Sequence, residues 1–244
     1  MVGLDLPETD RAGEAVRPGQ NSAAALRAQA IDGVTWAFRC SAAAAAKTWN
    51  WEVQSSPPVR LLQGIRETRA SRHARHIPVT MWPMANDDHV WLESGLEHDL
   101  LRKCDRDPNV RWVVSQPLRL SWAEPTPGSH TPDLLSVGVE GQVTVWDARR
   151  PDEQDDDFKM HADVTRRCCD AVGWRYVVFN GLTTNERLNL LWLHGFRRRP
   201  EWMPRHAELI RRVASDGGTS LGDLFAHDDG SGELKSVVWR LVWG

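Results

Sequence analysis

None of the four cysteines stands at the Cys-x-x-Cys spacing of a zinc ligand pair or a redox motif. Cys40 and Cys104 are isolated, and adjacent cysteines such as Cys168 and Cys169 rarely bridge to each other. A structural zinc site or a disulfide framework is therefore not expected, and a reducing cytosol is. Also missing is any apolar run approaching the roughly 18 residues a membrane span requires. The first residues lack the basic stretch and apolar core of a secretory signal. These gaps point to a cytoplasmic protein with no membrane partner. A strong overall charge is absent too, since 30 Lys and Arg stand against 33 Asp and Glu, so composition names no partner.

What the chain does hold is apolar material for a real core, 41% of 244 residues. Its thirteen tryptophans read first as core and edge fillers, with a few free to stack on bases. Charge is uneven along the chain. Asp152 to Asp157 is acidic, whereas Arg197, Arg198 and Arg199, followed by Arg205, Arg211 and Arg212, concentrate cations where a nucleic acid could be met.

Residues 1–29 are polar and aperiodic, and read as a mobile arm. Residues 30–88 read as an extension of short strands and loops packed on the core beyond residue 88. There the Ala42–Ala46 run favours helix, and Pro57, Pro58, Pro78 and Pro83 break any longer element. Order sharpens over 89–196. Glu93 to Cys104 is an amphipathic helix, with Ser94 as N-cap and Glu97 at capping-box spacing. Strands come next at Val110–Val114, Leu118–Trp122, Leu134–Val139 and Val143–Asp147. A helix spans about Gln154 to Val172 with Gly173 as its stop. A strand at Trp174–Phe179 and a helix at Asn185–His194 complete the stretch. This is an α/β domain, a mixed sheet flanked by helices. Residues 197–244 form a small helical region, a winged helix being one form open to it. Its last stripe, Leu234, Val237, Val238, Leu241 and Val242, has the spacing of a buried helix face and suits either partner packing or internal core.

The chemistry gathers between His130 and Arg149. His130-Thr-Pro-Asp133 precedes one strand and Asp147-Ala-Arg149 ends the next, with Glu140-Gly141-Gln142 as the turn. Strand alternation points Asp147 and Arg149 the same way and Ala148 the other. Phosphodiester hydrolysis needs phosphate charge neutralised and water made nucleophilic, which Mg²⁺ held by hard oxygens can do. Asp133 and Asp147 would supply carboxylates, the Ala148 carbonyl a further oxygen, and Glu97 a third acidic group. Arg149 would stabilise developing negative charge. On these residues alone the plainer reading is a turn aspartate, a surface ion pair, a capping-box glutamate and a hydrogen-bonding His130.

The order and wording of the motifs add a resemblance. Ser94-Gly-Leu-Glu97-His-Asp-Leu-Leu, Asp107-Pro-Asn-Val110, Ser115-Gln-Pro117, His130-Thr-Pro-Asp133 and Val145-Trp-Asp147-Ala-Arg149 occur in one sequence. They are followed by Cys169-Asp-Ala-Val-Gly173-Trp-Arg-Tyr176 and Asn189-Leu-Leu-Trp-Leu-His-Gly195-Phe-Arg197-Arg198. This set resembles TnsA-like heteromeric transposase endonuclease subunits, in the branch found in actinobacteria. Upstream, Pro57-Pro-Val-Arg60 and Gly64-Ile-Arg-Glu-Thr-Arg69 also look like that branch.

The resemblance implies a restriction-endonuclease-like core of the PD-(D/E)xK type. It implies Mg²⁺-dependent (or Mn²⁺-dependent) nicking of one strand of double-stranded DNA at transposon ends. The implied partners are an integrase-type transposase subunit and an ATPase regulator. Glu97 falls on the helix glutamate, Asp133 on the aspartate of the Pro-Asp motif, and Asp147 on the acidic or amide ligand. Arg149 falls where the family usually has lysine. A planar guanidinium favours two-pronged oxyanion contacts over positioning one water. The alternative is a nuclease-like subunit of weakened chemistry that binds DNA or docks a partner.

Overall fold

A computed structural model describes residues 33–41, 44–51, 53–65, 79–86, 88–124, 126–215 and 217–244. The expected arm over 1–29 lies outside them, as do Ala42 and Ala43; Ala44–Ala46 are not helical. The elements in chain order begin with β1 (Val34–Phe38), β2 (Lys47–Trp49), β3 (Val79–Met81), β4 (Val90–Leu92) and α1 (Gly95–Arg106). Next come β5 (Val110–Ser115), β6 (Leu118–Trp122), β7 (Gly128–His130), β8 (Leu134–Gly138) and β9 (Val143–Ala148). The chain closes with α2 (Asp156–Ala171), β10 (Arg175–Phe179), α3 (Thr184–His194), α4 (Met203–Ala214), α5 (Leu221–Phe225) and α6 (Glu233–Trp243).

The principal sheet runs β10-β9-β8-β5, with β5, β8 and β9 antiparallel in turn and β10 parallel to β9. A parallel neighbour needs a long crossover, and α2 supplies it. The Asp155 side chain accepts from the Phe158 N–H at one end of α2, and Gly173 at φ +76 ends the other. The β8–β9 turn closes through Gly141 at φ +89, a conformation that costs glycine little. Along β9, Val143, Val145 and Asp147 are buried on the α2 side of the sheet. Trp146 and Ala148 pack on the other side, among the residues of α1.

The chain leaves this sheet between β5 and β6. Gln116, at φ +46, is the one non-glycine at positive φ among the described residues. That conformation costs an L-residue about 1–2 kcal/mol, and two backbone bonds hold it: Gln116 N–H donates to the Asp133 carbonyl (2.9 Å) and its carbonyl accepts from Ile65 (2.8 Å). Beyond it, β6 enters a second sheet of order β2-β1-β6-β7. The 30–88 extension thus supplies strands to a shared sheet as well as packing. Trp36 and Phe38 of β1 are buried and meet Trp49, Trp51 and Trp174.

Residues 203–243 hold α4, α5 and α6; no strand, and so no wing, occurs among the described residues 195–244. The face expected on α6 divides. Leu234, Val237 and Val238 are buried against α4 and α5, while Leu241 and Val242 stand exposed, because Trp243 turns the helix end onto Leu190 and Leu193 of α3. Among the described residues, no helix is long and apolar enough to cross a membrane.

At that junction burial, with Arg197, Arg102 and His98 behind it, holds the His194 imidazole down at about 4 against an ordinary 6.5. As pH falls from 6.5 toward 4, the unfolded chain takes up a proton at His194 that the folded chain refuses. Stability is therefore lost on acidification through that window. Urea midpoints measured between pH 7 and 4.5 should fall, and His194→Gln should flatten that slope. An unchanged slope removes His194 as the cause.

Candidate active site

One cleft of about 1040 Å³ is lined by Glu97, Asp133, Asp147, Ala148 and Arg149, together with Glu93, His130, Arg150 and Arg187. Each residue is delivered by local structure. Ser94 caps α1 through its Oγ, which accepts the Glu97 N–H at 3.1 Å, and this sets Glu97 in the first turn. The reciprocal capping-box bond is displaced by one residue, since Glu97 Oε2 accepts from Glu93 N–H at 2.9 Å. Asp133 stands just before β8. Asp147 and Ala148 end β9, and Arg149 is the first residue past it, tied by its N–H to the Phe179 carbonyl at 3.0 Å.

Asp147 is 2% exposed, and two groups meet its Oδ2. The Tyr176 hydroxyl donates to it, and His130 Nε2 lies 2.8 Å away. Burial, then the charge of Asp147, pushes the Tyr176 hydroxyl far up, so it stays a donor at any physiological pH. Asp133 Oδ2 accepts the Ala148 N–H at 2.7 Å. Burial holds the Asp133 carboxyl well above the usual carboxylate range, with the charges of Asp147 and Glu97 adding to it. Among the described residues no hydrogen bond falls on Oδ1 of Asp133 or Asp147. No group of three or more His, Cys, Asp or Glu side chains among them is set to hold a metal ion.

Asp147 and Arg149 both lie on the α2 side, at different depths. Asp147 is buried, whereas Arg149 is exposed. Its Nε donates to the Glu153 carbonyl (2.9 Å) and its guanidinium lies 5.6 Å from the Phe158 ring centroid. Its two Nη groups make no hydrogen bond among the described residues. The fork is thus oriented from behind while its front is open.

Arg197, Arg198 and Arg199 do not line this cleft. Arg198 and Arg199 are exposed, but Arg197 folds back, its Nη1 donating to the His194 carbonyl at the end of α3 (3.0 Å). Sequence reasoning missed Tyr176 as a partner of Asp147. The signal was present: it is the only tyrosine of the chain, on the strand paired with β9, one same-face step from Asp147. It also missed Asp99, which binds Arg102 Nη1 (3.0 Å) and Arg187 Nε (2.6 Å) and so ties α1 to α3 at the cleft wall.

No family model matches the chain, and comparison with curated proteins finds no match.

Proposed function

We propose that the chain is a Mg²⁺-dependent DNA endonuclease subunit with a restriction-endonuclease-like PD-(D/E)xK core. It would nick one strand of double-stranded DNA at a transposon end, working beside an integrase-type transposase subunit and an ATPase regulator. The observation carrying this reading is that Glu97, Asp133, Asp147 and Arg149, from separate segments, line one cleft. Around it stand a helix, three antiparallel strands, a crossover helix and a parallel strand, in an order compatible with such a core.

The donor set fits the ion. The Asp133 carboxyl, its proton affinity raised by burial and by the charges of Asp147 and Glu97, marks a place a divalent cation would relieve. Mg²⁺ takes one or two carboxylates and keeps several waters, so a ready three-residue cage is not required. Asp133 and Asp147 would hold it through their open Oδ1 atoms, beside Ala148. When bound, it neutralises phosphate charge and makes water a better nucleophile at neutral pH. Tyr176 and His130 fix the Asp147 carboxylate from behind, and the Ala148 N–H fixes Asp133. Arg149, steadied by Glu153 and Phe158, presents its fork to a phosphate oxygen, where charge develops. Glu97 keeps the third acidic position at the helix start.

The test is nicking of end-containing duplex by the complex reconstituted with its transposase, in Mg²⁺ or Mn²⁺, alongside Mn²⁺ titration by calorimetry. Wild type should bind the metal and cut, and Asp147→Ala should do neither. Equal cutting by Asp147→Ala sinks the assignment. The occupied back of Arg149 and the two groups on Asp147 favour a second reading, a docking subunit without chemistry. No Mn²⁺ binding at millimolar metal would select it.

DNA binding by the arginine cluster carries its own expectation. Removing one cation that touches a phosphate lowers the salt slope of binding by about one. Since Arg197 is turned to the α3 terminus, replacing Arg198 and Arg199 should lower the slope by about two, and adding Arg197→Ala should lower it no further. A slope unchanged by the double replacement removes both residues from the interface.

A further inference from the structure

Away from the cleft lies a second cavity, of about 330 Å³, lined by Arg39, Asn86, His89, Trp91, Trp112 and Gln116, among others. Gln116 is 5% exposed, and its side-chain amide makes no hydrogen bond among the described residues. Its neighbour Asn86 shows the contrast. The Asn86 amide is spent on both backbone groups of Val113, at 2.6 and 2.9 Å. The Gln116 backbone is likewise spent, on Asp133 and Ile65, at the strained φ of +46. A buried, backbone-pinned residue in a sparsely populated conformation with an unused amide is where function is sought first.

The lining defines the ligand. With Arg39 as its one guanidinium, and that bonded to the Ser41 carbonyl, the cavity is a poor anion site. It brings together no three metal-ligating side chains. What it offers is indole surface from Trp91 and Trp112 and neutral amides from Gln63 and Gln116 that can donate and accept side by side, with the Asp88 carboxylate further disfavouring an anion. Trp91 is 52% exposed, and the Trp112 indole N–H is buried with no acceptor among the described residues. Stacking surface with a glutamine amide suits the edge of a nucleobase. The volume lies at the small end of ligand pockets, about 300–1,000 Å³, suited to one base with its sugar.

We infer that this cavity receives a single unstacked nucleobase of the DNA, held against Trp91 and Trp112 and read by the Gln116 amide. The choice of DNA as the source rests on the nuclease reading above. The Gln116 N–H bond to the Asp133 carbonyl (2.9 Å) joins the pocket to the candidate active site. Unstacking costs least at a frayed or single-stranded position, so the pocket favours a strand that has left the duplex.

The probes are 2-aminopurine deoxyriboside and a short single-stranded oligodeoxynucleotide carrying one central 2-aminopurine, titrated into the full chain while probe emission is followed. Saturable quenching is expected. Trp91→Ala and Gln116→Gly, the latter suited to the left-handed backbone, should each weaken half-saturation by about tenfold. No quenching by wild type, or wild-type half-saturation in either variant, overturns the pocket. Quenching that persists in a chain whose reconstituted complex cannot nick upholds the pocket and defeats the nuclease reading instead.

Discussion

Asp133→Asn should make the protein more stable and catalytically dead. The amide keeps an oxygen for the Ala148 N–H, so the local bond survives. What disappears is a charge that burial, Asp147 and Glu97 all oppose. A carboxyl whose folded pKa is raised costs stability once pH passes its unfolded value of 3.8. The cost grows until the folded pKa is passed and is complete above it. Variant and wild type should therefore unfold alike at the acid end and diverge upward, with Tm rising by about 2–4 °C for each kcal/mol recovered. Cutting should fall about a thousandfold, the rate equivalent of the several kcal/mol a held cation contributes at the transition state. Mg²⁺ should raise the Tm of wild type and leave the variant unmoved. A variant less stable than wild type at neutral pH would mean that the charge is already neutralised in the free protein.

The second large effect concerns Asp99. It is 6% exposed and carries Arg102 on its own helix and Arg187 on α3. Removing a buried carboxylate strands its partners, and Arg102 Nε already lacks an acceptor among the described residues. Asp99→Ala should cost about 3–5 kcal/mol, the range for breaking a buried pair from one side. Arg187 is half-exposed, so Arg187→Ala should cost far less, with water taking over one carboxylate oxygen. Urea unfolding decides the matter, provided the m-value is unchanged. A loss under about 1 kcal/mol for Asp99→Ala would reduce the group to a surface ion pair.

Local chemistry made much of the core legible. Ser94 with Glu97, the Gly141 turn and Gly173 each fix an element through neighbours in sequence. The alternation of β9, which sets Asp147 opposite Ala148, is equally local. Legibility ended where partners are far apart. Nothing local to Leu118–Trp122 tells that it pairs with Val34–Phe38 and not with β5. The run Ala44–Ala46 kept its helical propensity but lost to the strand β2 directly after it. At the site, the acidic residues could be named because their types and order are unusual. The partners of Tyr176, His130 and the back-folded Arg197 could not, since each contact is set by tertiary packing.

The pairing of β1 with β6 also bears on how the chain is made. Val34–Phe38 carries Trp36 and Phe38, which are buried in a core cluster that includes Leu118, Leu120 and Trp122. At ~5–20 residues per second on the ribosome, roughly 4–16 s separate the synthesis of Phe38 from that of Leu118. Through that interval an apolar strand waits with an open edge, the kind of segment that pairs with the wrong chain. Overproduction should therefore strain this protein during synthesis more than after it, and holdase chaperones or slower translation at low temperature should raise its soluble yield.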